Sequence, residues 1–347
     1  MKQLDSQRLK DLILRTTAET EYIESNVEKD FYICEILKRI SKNEALDHAV
    51  FRGGTSLSKC WNVVDRFSED IDYSIIYPIG DSKRRKFKYE LIDICNDLNL
   101  DITNINEIRS RRTMNRYDIK YPSIVENDNS IIYLEMSAFS ISLFSIEKEI
   151  QSYIGEYLDK NTNVNSKDYG LDPFVVKTQT LEKTFADKVF ALCDYALTSR
   201  FAKGSRHIYD LYKTYPLVKD NPELHNIITI TRYDRMKRER RPSSYPDCDV
   251  SKLLMEIVET ECFKNDYNNV TIPLLNKKVP YEVTIETIKE ISESTLFKYE
   301  PDFSAVDYLI DHNFINKRNN KEIKLYTDYY AKPIYQERVV SPKSIKQ

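Results

Sequence analysis

Asp70 and Asp72 stand one residue apart at the head of an apolar, β-branched run, DIDYSII, shortly after the glycine pair Gly53–Gly54 in FRGGTSLSKCW. In a strand, residues two apart project from the same face, so both carboxylates would share one side of a sheet. Adjacent carboxylates repel unless a cation lies between them, and a hard ion such as Mg²⁺ is held by one or two carboxylates plus substrate phosphates. The chain has only six glycines, and two are adjacent here. Such a pair permits positive φ and close approach to the main chain, and the free amides that open the helix starting TSLSK would face an anion. Singly, each half also reads as a turn or a solvated strand start. Together they have the layout of metal-assisted nucleotidyl transfer.

The elements that must carry these residues follow from periodicity. Residues 6–42 place apolar side chains at three- and four-residue spacing and read as helices behind a sheet. HAVF suits a first strand feeding the glycines, and TSLSKCWNVV a short helix. A helix over 83–98, capped by Asp81 or Ser82, carries Phe87, Leu91, Ile94 and Leu98 on one stripe. YDIKY and SIIYLEMSAFS read as strands, the second with Ile132, Leu134 and Met136 on one face and Tyr133, Glu135 and Ser137 on the other. Glu135 is a lone mid-strand carboxylate that needs either water, on an exposed sheet face or edge, or a partner. A helical run over 147–160 gives way to the polar NTNVNSKDYGLDP, a candidate domain boundary. Beyond it come a short strand, a long helix with Leu181, Phe185, Val189, Leu192 and Ala196 on its buried side, and a helix with Arg206 and Asp210 four apart.

Composition sets bounds. With 41% hydrophobic and 31% charged residues over 347 positions, the chain reads as soluble and globular, without a membrane span or signal-peptide core, hence cytoplasmic. The six cysteines include no C-x-x-C pair and read as reduced core residues. Net charge is −3, but basic residues concentrate at 82–88, 109–116 and 232–241, where a nucleic-acid contact is a candidate role beside that of a solvated face.

GGTSLSK…DRFSEDIDYSI resembles the first motif of the AbiEii/AbiGii toxin family, a branch of the polymerase-β-like nucleotidyltransferase superfamily. There Gly-Gly-Thr leads through Arg-Phe-Ser-x-Asp-Ile-Asp, a pattern matched by Arg66, Phe67, Ser68, Asp70, Ile71 and Asp72. EKTFADKVFAL (182–192) and RHIYDLY (206–212) resemble the family's second signature. Lys183 stands for the commoner Arg and Asp187 for the commoner Glu, whereas Lys188 and Asp210 are retained. The likeness spans residues 30–215 and fades beyond them.

The resemblance implies an α/β (α+β) fold: a nucleotidyltransferase core with a mixed sheet flanked by helices over 1–160, a mainly helical domain over 161–300 and a C-terminal extension over 301–347. It puts a third metal-holding carboxylate at Glu135, so that Asp70, Asp72 and Glu135 would hold two Mg²⁺ about 3.5–4 Å apart. The catalytic set is then Asp70, Asp72, Lys188 and Asp210, and the nucleotide-binding set Gly53, Gly54, Thr55, Ser56, Lys59, Arg66, Ser68 and Lys188. His207 is expected to be structural or a hydrogen bonder near the site. The activity implied is transfer of a nucleoside monophosphate from an NTP to an RNA acceptor, the tRNA 3′ end above all. The setting would be a toxin–antitoxin or phage-defence (abortive infection) pair with a separate antitoxin. The alternatives are a protein hydroxyl as acceptor, or a nucleotide- or RNA-binding module without catalysis. The intact carboxylate pair argues against the last.

Overall fold

The computed structural model describes residues 4–298 other than 77–78, 110–111, 126–129, 143, 203, 237–240 and 246. The expected extension over 301–347 lies outside the described residues. The chain forms two compact units, Met1–Asn62 with Phe67–Gln179, and Val63–Arg66 with the residues from Thr180 onward.

The first unit is built on a seven-stranded mixed sheet. Two helices precede it, α1 (Ser6–Glu19) and α2 (Glu24–Ser41), followed by β1 (Ala49–Arg52), α3 (Gly53–Lys59), β2 (Ile71–Ile75) and α4 (Asp81–Asp97). Then come β3 (Asp101–Ile102), β4 (Met114–Lys120), β5 (Ile131–Ile141), β6 (Ser145–Ile150), α5 (Tyr153–Asn161) and β7 (Phe174–Gln179). The strand order is β3-β4-β5-β2-β1-β7-β6, so β2 lies at the centre between β1 and β5. β1 runs antiparallel to β2, and β5 parallel to it.

Alternation along the central strands separates a core face from a polar one. Phe51, Tyr73, Leu134, Met136 and Tyr117 are buried on one side. There Phe87 of α4 lies between Tyr73 and Tyr117, with ring centroids 6.4 Å from each. All four stripe residues of α4 are buried, as its periodicity predicts. Fully burying one such aromatic stabilises the fold by roughly 1.5–3 kcal/mol. The N-cap, however, is Gly80 without a side-chain bond, and Asp81 is already the first helical residue, where its charge complements the helix dipole.

Two boundaries differ from expectation. Residues 145–150 form β6 rather than the start of a helix, because SIEKEI pairs antiparallel with β7, and ladder pairing overrides the helical preference of Glu and Lys. For the same reason the polar stretch 161–173 lies within the first unit: β7 beyond it belongs to the sheet, and the chain changes unit at Gln179/Thr180.

The second unit is helical. It holds α6 (Leu181–Leu197), α7 (Arg206–Val218), α8 (Leu224–Met236), α9 (Val250–Thr260), the short α10 (Lys264–Asp266) and α11 (Tyr281–Glu293). Thr180 caps α6, its side chain accepting from the Lys183 amide. The predicted stripe Leu181, Phe185, Val189, Leu192 and Ala196 is buried, yet so are Lys183, Lys188 and Asp194. This helix is enclosed on its charged side too. No helix among the described residues is long and apolar enough to cross a membrane.

Candidate active site

In the first unit, strand register lines up four charged residues across the polar face of the sheet. Arg52 pairs with Asp72, Asp72 with Glu135, and Glu135 with Arg116, a row running β1-β2-β5-β4. Directly paired residues project from the same face. Glu135 is half-buried and stands beside Asp72, a like charge rather than a compensating partner. Burial, then the Asp72 and Asp70 charges, push its carboxyl above the usual carboxylate range, while Arg52 and Arg116 oppose the rise. Asp70 immediately precedes β2.

The glycine pair opens α3, and Gly53 has φ +83°. A Cβ there would collide with Asp72 Oδ2 and lie 3.0 Å from its Cγ and 3.1 Å from its Cβ. The absent side chain at 53 is thus what lets Asp72 stand where it does. The N-cap Arg52 makes no side-chain capping bond, and the first amides of a helix have no intrahelical acceptor. Gly53→Ala is expected to strain the backbone by about 1–2 kcal/mol and to displace Asp72, so transfer falls far more than melting temperature. Retained activity in this variant would show that the close approach is dispensable.

Thr55 and Ser56 are placed differently from expectation. The Thr55 hydroxyl is 3.0 Å from Ser68 Oγ and donates to the Asp70 carbonyl at 2.5 Å, and Ser56 Oγ donates to the Gly53 carbonyl at 2.9 Å. Thr55 is 2% and Ser56 0% exposed. Their hydroxyls brace the motif from within: Thr55 ties α3 to the loop carrying Asp70, and Ser68, half-buried, joins that brace. Lys59 also turns inward. Its side chain is 4% exposed, pairs with Asp30 of α2 at 2.7 Å and sits 4.1 Å over the Tyr153 ring of α5. It fastens α3 to these helices instead of reaching a nucleotide. Among the described residues, no three His, Cys, Asp or Glu side chains stand close enough together to hold a metal ion as placed. Asp70, Asp72 and Glu135 are like charges that raise one another's cost of ionisation, as the Glu135 carboxyl shows.

The second unit carries its own charge cluster. Asp210 of α7, fully buried, accepts a bidentate pair from Arg66, Nε to Oδ1 and Nη2 to Oδ2, both at 2.9 Å. Lys188 of α6 adds a bond to Oδ2 at 2.6 Å. Burial would raise the Asp210 carboxyl, but Arg66 and Lys188 outweigh it and hold it well below the usual carboxylate range. Asp210 is thus held by two cations, one from each of Arg66 and Lys188. Arg66, expected to touch nucleotide, engages Asp210. Its segment is fixed by a bridge to Leu275, by Asp65 N–H donating to Tyr209 Oη at 3.2 Å, and by Asn276 on Asp65 at 2.9 Å. His207 lies against this cluster and is kept neutral, lowered to about 3 by burial first and Lys188 next.

Lys183 is not a surface lysine. It is 1% exposed and bonds Asp187 at 2.6 Å. Arg235 pairs with Asp187 at 3.5 Å and Asp194 at 2.6 Å, so the start of the 232–241 basic concentration is interior: Arg232 and Arg235 are 3% and 4% exposed. By contrast Lys83, Arg85, Lys86, Arg109, Arg112 and Arg116 are exposed. The sequence left Arg52 unremarked and placed Arg116 only within the basic concentration at 109–116. The signal for Arg52 was its place immediately before the glycines; for Arg116 only strand register supplies one.

The chain is similar in fold to MenT4, a nucleotidyltransferase toxin from Mycobacterium tuberculosis H37Rv, with a TM-score of 0.54 at 16% identity, covering 92% of this chain and 98% of that one. A putative nucleotidyltransferase from H. pylori gives 0.43 at 15% identity, covering 80% and 96%. JHP933 from Helicobacter pylori gives 0.42 at 15%, covering 83% and 98%. Comparison with curated proteins gives no match. The family model for "Nucleotidyl transferase AbiEii toxin, Type IV TA system" matches residues 35–274, well over half the chain and inclusive of both charge clusters. The chain belongs to this AbiEii family of nucleotidyltransferase toxins.

Proposed function

We propose that this nucleotidyltransferase toxin uses Mg²⁺ held by Asp70, Asp72 and Glu135 to transfer a nucleoside monophosphate from an NTP to RNA, the 3′ acceptor end of tRNA foremost. The observation that carries the reading is the in-register pairing of Asp72 with Glu135 beside a Gly53 that has no room for a Cβ next to Asp72. A bound Mg²⁺ would supply activation of the acceptor hydroxyl and neutralisation of the leaving pyrophosphate. The chain's own part is to position. The carboxylates fix the reacting phosphate relative to the sheet, the amides of Gly53 and Gly54 take terminal phosphate oxygens, and the Thr55 brace holds the Asp70 loop. The acceptor hydroxyl oxygen bonds to the α-phosphorus, the bond from that phosphorus to the β-phosphate-bridging oxygen breaks, pyrophosphate leaves with that bond's electron pair, and the hydroxyl proton passes to solvent water. Lys188 and Asp210 are proposed to be required for the same transfer.

Exposed basic side chains at 83, 85, 86, 109, 112 and 116, with the exposed Tyr89, favour an RNA acceptor. Type IV toxin–antitoxin membership implies an antitoxin partner. Incubating the protein with Mg²⁺, each labelled NTP, and total RNA or total protein tests the reading. Label in RNA, lost steeply as salt rises, is expected. Label in protein would instead establish a protein hydroxyl as acceptor, and nucleotide binding without label would leave an occupancy role.

Glu135→Gln separates a ligand from a structural glutamate. Because the charged form of Glu135 is disfavoured by burial and by Asp72, the neutral amide is expected to melt at the wild-type temperature or slightly above, with transfer severely reduced. A lower melting temperature with normal transfer would assign Glu135 to the fold alone.

A further inference from the structure

We propose that Arg52 is a substrate-binding residue of this site, its guanidinium taking a phosphate oxygen of the nucleoside triphosphate; the proposal rests on the reading of the carboxylates given above. Arg52 ends β1 in register with Asp72, on the polar face of the sheet. It is close enough for its charge to act on Glu135 one strand further on. The arginine at the other end of the row is already engaged: Arg116 makes two bonds to Asp118, at 2.8 and 3.1 Å, and lies 4.8 Å over the Tyr133 ring. Arg52 differs. It is half-buried, its Nε is enclosed without a hydrogen-bond partner, and no side-chain ion pair or hydrogen bond ties its guanidinium to a described residue.

That isolation next to two carboxylates is informative. A guanidinium whose task was to neutralise Asp72 or Glu135 would close onto one of them, as Arg66 closes onto Asp210 with two 2.9 Å bonds. A buried N–H left unbonded is unfavourable unless something else completes it. A phosphate oxygen fits the fork's outer Nη groups, which unlike Nε are not among the enclosed atoms, since the planar guanidinium matches phosphate geometry.

Equilibrium binding of each NTP in Mg²⁺, with inorganic pyrophosphate as competitor, tests this using wild type, Arg52→Gln and Arg52→Lys. Loss of a charge-assisted bond is expected to weaken NTP binding in Arg52→Gln on the order of tenfold and to weaken pyrophosphate competition by the same factor. Melting temperature and the Mg²⁺ concentration for half-maximal binding should stay at wild-type values. Arg52→Lys, a point charge without the fork, should recover part of the loss. Should Arg52→Gln fail to fold, reduced affinity in a folded Arg52→Lys still supports the proposal. Unchanged NTP and pyrophosphate affinity in either folded variant overturns it, as does a shift confined to Mg²⁺ requirement or melting temperature. Wild type that binds NTP but transfers nothing overturns the enzymatic reading while leaving Arg52 decided by these affinities. Wild type that binds no NTP overturns both.

Discussion

Asp72→Asn is expected to lower nucleotidyl transfer on the order of a hundredfold or more, since even the outer partners of metal ligands change metal affinity or activity by 10- to 100-fold. Asp72 is the residue at which the two organising features of the motif meet: it stands in register between Arg52 and Glu135, and Gly53 is cleared for it. Asparagine keeps the shape, so the strand and the glycine contact persist and the melting temperature should not fall. The substitution takes one charge from the proposed metal-holding set and lessens the repulsion on Glu135. Initial rates over a Mg²⁺ titration check this. Wild-type transfer with an unaltered Mg²⁺ requirement would sink the metal assignment.

Asp210→Ala should have the largest effect on stability. It leaves Arg66 and Lys188 buried without their shared carboxylate, and breaking a buried pair in this way costs about 3–5 kcal/mol. Denaturant melts measure it directly. The pH dependence has a definite sign. The folded Asp210 carboxyl lies below its unfolded value of about 3.9, so its contribution is complete above that pH and is lost as pH falls toward the depressed value. Wild type and variant should therefore differ fully at neutral pH and converge only in strong acid. Lys188→Met leaves the Arg66–Asp210 fork intact, so its stability loss should be smaller than that of Asp210→Ala. If Lys188 serves the transfer, the variant loses activity far beyond that of Lys219→Met, an exposed lysine on the same unit. Equal, mild effects at both positions would confine Lys188 to the ion-pair cluster.

How far the sequence speaks can be judged residue by residue. The polar row of the sheet was readable at Asp72 and Glu135 because a strand's period of two is local, and the stripes of α4 and α6 because the helical period is local too. Strand pairing is not local. Arg116 and Arg52 joined the row only through register, and SIEKEI became a strand only because β7 lay alongside. Side-chain destinations were the least legible. Lys59, Lys183, Lys188 and Arg235 look like solvated charges in a string of letters, and each is interior because a carboxylate distant in sequence, or one helical turn away, meets it. Thr55 and Ser56 looked like phosphate donors because a hydroxyl beside glycines invites that reading. The nearest acceptors were the chain's own carbonyls.

The short passage Val63–Arg66 belongs with the helical residues from Thr180 onward, although it lies between α3 and β2 of the sheet unit. The backbone therefore changes unit three times, and a cut at Gln179/Thr180 does not separate two self-sufficient pieces. A fragment ending at 179 would carry Arg66 without Asp210, and one beginning at 180 would hold Asp210 with one of its two cations missing. Recombination between relatives at that point would join an arginine from one lineage to an aspartate from another. Gene shuffling within this family is thus expected to tolerate exchanges in which 63–66 travels with the helical part, and to reject those in which it stays behind.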